Sequence, residues 1–237
     1  MNYFRLLWNL YQQKQNTKKS RQGIEFLQRR KLEKMLRYAY DHSPYYKKTF
    51  EEAGINREMI ARIPLEMFPT LDKEQLIEHF DELVTDRSLN QKDLLYFDEH
   101  SEGSEETYLG KYHVVHSSGS TGTSRYFVYD NAAWEQMLFG IIRGALWGMS
   151  MNEILKLLAE KPRILYIAAT DGRYGGAMAV GDGIRGVRAE QKFLDINTPL
   201  TEWINTIQEF QPNIIIGYPS AVKILAELME AKTQNLM

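Results

Sequence analysis

The last third of the chain alternates apolar strand-like runs with amphipathic helical ones, and this order constrains the fold more than any other feature. RILYIAA at 163–169 is a continuous apolar run of the buried-strand type. TPLTEWINTIQEF then reads as a helix ended by Pro212, and NIIIGY at 213–218 as a second buried strand. PSAVKILAELMEA follows as a helix with Pro219 near its start. Strand, helix, strand, helix with apolar strands predicts βαβ units and a mainly parallel sheet, hence an α/β fold.

The chain ahead of this is different. Residues 2–12 place Tyr3, Phe4, Leu7, Trp8, Leu10 and Tyr11 close to helical spacing. An aromatic helix of this kind can lie on a membrane or dock on a partner. Packing on its own domain is the favoured reading, because a buried face carries the same pattern. A second helix is predicted from Arg21 to Asp41. Ser43 as N-cap, Pro44 at the first helical position and Gly54 as a left-handed stop mark a short helix over 44–53. Pro64 and Pro69 break the next segment, and Asp72 with Gln75 has the spacing of a capping box. The acidic stretch DEHSEGSEET at 98–107 reads as an exposed loop rather than a cation site, since its carboxylates have no ligand spacing. Residues 1–110 thus form a mostly helical lead-in, and 111–237 an α/β portion.

Between HVVH and YFVYD, two short β-like runs, stand seven consecutive small residues, Ser117, Ser118, Gly119, Ser120, Thr121, Gly122 and Thr123. A helix follows over about 132–147, capped by Asp130 or Asn131. Phosphate binding needs converging backbone N–H groups, small side chains and hydroxyl donors, and this loop offers all three. The Walker motif is excluded: only two residues separate Gly119 from Gly122, no lysine follows and the next element is a strand. The dinucleotide fingerprint is excluded too, because it opens a helix. A plain hairpin connection stands beside the phosphate cradle at even weight.

Other chemistry is restricted by composition. The chain has no cysteine, so disulfides, thiolate metal sites and a cysteine nucleophile are ruled out. Lys and Arg number 29 against 31 Asp and Glu, which leaves no global basic field for a nucleic acid. No apolar run reaches the roughly 18 residues of a membrane span. MNYFRLLWNLYQQKQ lacks the layout of a secretory signal, so a cytoplasmic location is expected. His113 and His116 fall on opposite faces of a strand and cannot share an ion; no metal is expected from the protein's own ligands. No G-x-S-x-G elbow occurs.

At the small-residue loop the sequence resembles the adenylate-forming superfamily of acyl- and aryl-CoA ligases, whose SSGSTG-type loop joins two strands and holds the ATP phosphates. Residues 117–122 match that pattern at each position. HSPYYKKTFEEAGI, FPTLDKEQL and IIGYPSAVKILAEL look like the phenylacetate-CoA ligase and capsule-biosynthesis-related branch. The likeness runs over roughly 35–230.

The resemblance implies an ATP-dependent acid–thiol ligase acting on an aromatic or other small carboxylic acid, with ATP, Mg²⁺ and coenzyme A as cofactors. It implies that Ser117 to Thr123 hold the β- and γ-phosphates. Where the family often places a lysine after the loop, this chain departs with Thr123, Ser124 and Arg125, and Arg125 is the candidate to provide the cation, although its geometry differs from that of lysine. Tyr218, Pro219 and Ser220 are assigned to the acyl or adenine pocket, beside the plainer reading that Pro219 and Ser220 begin a helix. The glycine-rich 171–186 stretch, with Arg173 and Tyr174, is either a substrate-wall loop or a long connection. The family's later ribose-binding aspartate and adenylation lysine are not in the sequence. The expectation is therefore the N-terminal part of one adenylation domain, inactive alone. The alternative is a non-catalytic nucleotide- or phosphate-binding module. Nothing in the sequence opposes a homodimer.

Overall fold

The computed structural model describes residues 3–101, 106–117, 125–169, 178 and 189–234. It divides into two compact units, one of residues 1–13, 102–118 and 127–237, the other of 14–101 and 119–126.

The second unit is helical. Helix α1 (Tyr3–Asn16) runs into it from the first unit, and α2 (Arg21–His42) follows after Ser20, whose side chain accepts the Gly23 N–H. Helix α3 (Pro44–Glu52) starts as its residues dictate. Ser43 caps the Tyr46 N–H and its hydroxyl donates to the Glu82 carbonyl at 3.1 Å, so this buried polar group is satisfied on both sides. Gly54 takes φ 74° just beyond the helix, a region a side chain would strain. Phe50, Ile55, Ile60 and Phe68 form the core here, each burial contributing about 1.5–3 kcal/mol. The capping box of Asp72 and Gln75 is formed in both directions and opens α4 (Lys73–Glu78), with α5 (Phe80–Leu83) after it.

One expectation is overturned here. The stretch 98–107 does not begin as a loop. Helix α6 spans Gln91–His100, so Asp98, Glu99 and His100 are helical. Asn90 caps the Asp93 N–H, and Leu94 is fully buried. Asp98 and Glu99 thus belong to the end of that helix, while 102–105 lie outside the described residues.

The first unit holds the β structure. β1 (Tyr112–His116) pairs with β2 (Tyr126–Asp130), whose first residue is counted with the second unit. Helix α7 (Asn131–Ala145) is capped by Asp130, which accepts the Ala133 N–H at 2.7 Å. Val115 packs with Trp134, Leu138 and Met178. Helix α8 (Met151–Ala159), unforeseen from the sequence, opens on a capping box of Ser150 and Glu153. Leu10 of α1 is buried with Phe139 and Ile154, and Arg5 pairs with Glu135 at 2.7 Å, so α1 does pack on its own unit along one face.

The parallel sheet expected from the apolar runs is present. β3 (Arg163–Ala168) lies between β4 (Glu190–Asp195) and β5 (Ile214–Gly217), parallel to both. β4 is a strand the sequence reading passes over. Helices α9 (Leu200–Phe210) and α10 (Pro219–Gln234) cover one face, where Leu165, Ile167 and Leu194 meet Trp203, Ala221 and Leu225. Gln211 closes α9 in the left-handed conformation, just ahead of Pro212. The fold is thus mixed α/β, with a helical N-terminal region and a three-stranded parallel sheet.

Candidate functional site

Of the small-residue loop, Ser117 and Arg125 fall within the described residues, while Ser118, Gly119, Ser120, Thr121, Gly122 and Thr123 lie outside them. Ser117 is half-buried directly after β1. The His116 ring approaches the Ser117 carbonyl oxygen through Nδ1 at 3.0 Å. His113, on the other face of the strand, stacks on Trp134 with ring centres 4.4 Å apart and planes 7° apart. The two histidines thus have separate partners.

Arg125, also half-buried, immediately precedes β2. Tyr126 beside it is buried, and its hydroxyl donates to the Asp98 carboxylate at 3.1 Å. Asp98 therefore holds Tyr126 within the second unit. Sequence reasoning missed this pair; the only available signal is that an acid on a helix end and a tyrosine at a strand start each need a partner when buried. Burial, followed by the Asp98 charge and the hydrogen bond, holds the Tyr126 hydroxyl far above the usual tyrosine range. Tyr45, Tyr46 and Tyr166 are shifted the same way, mainly by burial. A raised pKa of this kind gives stability that is complete below the unfolded value and is lost as pH rises through the folded one. Stability should accordingly fall above about pH 10. In pH-dependent urea melts, Tyr126→Phe should flatten that alkaline limb; an unchanged limb would show that the pair is not coupled to folding.

The second candidate group lies at the C-terminal end of β5. Tyr218 is 42% exposed, and its N–H reaches the Ile167 carbonyl at 3.4 Å. Its own carbonyl accepts the Val222 N–H, which places it at the cap of α10. Pro219 is the first helical residue, where a missing N–H costs nothing, and Ser220 is exposed beside it. The helix-start reading of Pro219 and Ser220 thus holds structurally, at a strand end where ligands collect in open α/β sheets.

Gly217 sets this geometry. A Cβ there would stand 2.8 Å from the Ile167 carbonyl oxygen and 3.3 Å from the Ile167 Cβ. Only glycine lets β5 approach β3 so closely. Gly217→Ala should lower stability by about 1–3 kcal/mol in urea denaturation. A neutral substitution would contradict the close approach.

Sequence reasoning also missed the aromatic side chains on the sheet face opposite α9 and α10. Tyr166 is paired in register with both Phe193 and Ile216, so the three share that face. Tyr166 meets the half-exposed Phe193 edge-on, with ring centres 5.7 Å apart. Tyr218 continues the alternation of β5 toward the same face, and its proximity to Tyr166 adds a smaller upward push to the effect of burial on the Tyr166 hydroxyl.

No family model matches the chain, and no curated protein matches it. Among solved structures it is similar to 2-hydroxyisobutyryl-CoA ligase in the postadenylation state in complex with R3-HIB-AMP. The identity is 22% and the TM-score 0.52, over 85% of this chain and 38% of that one. The fold is similar to that of part of a CoA ligase. At this identity the likeness concerns fold alone. The chain spans well under half the length of the ligase it matches.

Proposed function

We propose that this chain is part of an adenylation domain in an ATP-dependent acid–thiol ligase, and that its two sequence segments, 1–110 and 111–237, belong to that one domain. The observation that carries the reading is the SSGSTG run at 117–122, set between the paired strands β1 and β2 in a fold similar to part of a CoA ligase. The chemistry of the described donors fits phosphate: a serine hydroxyl after one strand and a guanidinium before the next.

In this reading Ser117 to Thr123 cradle the β- and γ-phosphates through hydroxyls and backbone N–H groups, and Arg125 adds a positive charge. Mg²⁺ would neutralise the phosphate oxygens. A carboxylate oxygen attacks the α-phosphorus and pyrophosphate leaves; a thiol, that of coenzyme A, then attacks the acyl carbon and AMP leaves. The protein's part in the first step is largely positioning and charge stabilisation. Tyr218, Pro219 and Ser220 border the acyl or adenine pocket, where the ring of Tyr218, together with Phe193, offers a surface for a flat group. The acid is an aromatic or other small carboxylic acid, and the setting is the cytoplasm, with a homodimer as the assembly to examine.

The test is pyrophosphate release by the intact enzyme across a panel of aromatic and short aliphatic acids. Acid-dependent release, followed by thioester formation with coenzyme A, is expected. ATP binding without release for any acid would replace this reading with a non-catalytic phosphate-binding module.

A further inference from the structure

We infer that Asp98 is a positioning residue for the phosphate site proposed above: through the Tyr126 hydroxyl it sets where the backbone of Arg125 stands. The role presupposes phosphate at the loop, and so rests on that reading. Asp98, Arg125 and Tyr126 all belong to the second compact unit. The acidic stretch that begins at Asp98 has no other part in the reaction as proposed.

Two observations carry the role. The first is how tightly Tyr126 is held. The residue is 5% exposed, and its hydroxyl donates to Asp98 Oδ2 at 3.1 Å, across 28 positions of sequence. A phenol fixed by burial along its ring and by a carboxylate at its tip fixes the backbone that carries it. Burial first, and then the Asp98 charge, keep that hydroxyl protonated at neutral pH, so the donor is present there. The second is the footing of Asp98. It lies on α6, whose first N–H, that of Gln91, donates to the Asp81 carboxylate at 2.7 Å. Leu94, one turn before Asp98 on the same side of the helix, is fully buried. Asp98 therefore stands on an element tied down at its start and along its face. Arg125 is one peptide, about 3.8 Å, from Tyr126. The run of sequence before it is made of small residues with no large side chain to pack. A guanidinium acts on a phosphate only from a set place, and a rigid neighbour is what sets it.

Calorimetric titration of the 237-residue chain with Mg-ATP and with AMP tests this, with the melting temperature read alongside. Tyr126→Phe keeps the buried ring and removes the donor. It should weaken Mg-ATP binding by about fivefold or more and leave AMP binding within about twofold. Asp98→Ala should match it, and Asp98→Asn, which keeps a carbonyl acceptor, should restore most of the loss. Tyr126→Phe carries the test should Asp98→Ala not fold. In an Arg125→Ala background, Tyr126→Phe should have no further effect on Mg-ATP binding, because the pair acts through that residue. A Tyr126→Phe variant that melts lower yet keeps the wild-type ratio of ATP to AMP affinity would overturn the proposal and leave the phosphate reading standing. So would an undiminished effect of Tyr126→Phe in the Arg125→Ala background. A wild-type chain that binds ATP and AMP equally would overturn both.

Discussion

Trp203→Ala should cost the first unit about 3–5 kcal/mol, read as a fall in the urea midpoint of that unit. Trp203 is 2% exposed, in one cluster with Leu165, Ile167 and Leu194 of the sheet and Ala221 and Leu225 of α10. It is where α9 meets both the strands and the other helix. Removing the indole leaves a cavity that rigid strands cannot close. The variant also leaves the Thr198 hydroxyl, which accepts the indole N–H at 2.8 Å, without that donor. Trp203→Phe keeps most of the apolar volume and should cost clearly less. Equal losses for the two variants would mean that the hydrogen bond, not the packing, dominates.

The second large effect concerns the loop. Saturating Mg-ATP should stabilise the chain by about 2.7 kcal/mol at a hundredfold excess over Kd, or roughly 5–10 °C in Tm. Ser118→Ala with Thr121→Ala should remove that shift while leaving the Tm of the unliganded protein nearly unchanged. A double variant that keeps the full shift would take the hydroxyls out of the phosphate contact. A drop in Tm without ligand would point to a role in holding the two strands together.

Local signals in the sequence located most of the elements. Ser43, Pro44 and Gly54 bracket α3, Asp72 and Gln75 open α4, and Asp130 caps α7, because these devices act within a few residues. The apolar runs at 163–169 and 213–218 marked β3 and β5: β3 is buried on both faces and has no polar alternation, and β5 carries the same unbroken apolar run although its residues are only partly buried. β4 was passed over for the opposite reason: EQKFLD is mostly polar and, among the described residues, is an edge strand with Leu194 its one buried residue, and only pairing with β3 makes it a strand. Helices α6 and α8 carried readable caps, Asn90 with Asp93 and Ser150 with Glu153, which lay hidden beside an acidic run and a Gly-Met-Ser turn. Long-range contacts were not legible at all. Tyr126 reaching Asp98, Tyr166 meeting Phe193 and Gly217 pressed on Ile167 join residues 27 or more positions apart, and no local pattern encodes them. The glycine-rich 171–186 stretch lies outside the described residues except for Met178, which is buried against Val115, Trp134 and Leu138.

The central claim is that residues 117–123 take the β- and γ-phosphates of a nucleotide. Calorimetric titration of the chain with Mg-ATP and, separately, with AMP tests it most directly, because the two ligands differ only in those phosphates. ATP should bind at least about tenfold more tightly, a difference of about 1.4 kcal/mol, and Ser118→Ala with Thr121→Ala should erase the difference. Equal affinity for ATP and AMP in the wild-type chain, or a preference for ATP that survives in the double variant, would contradict the claim.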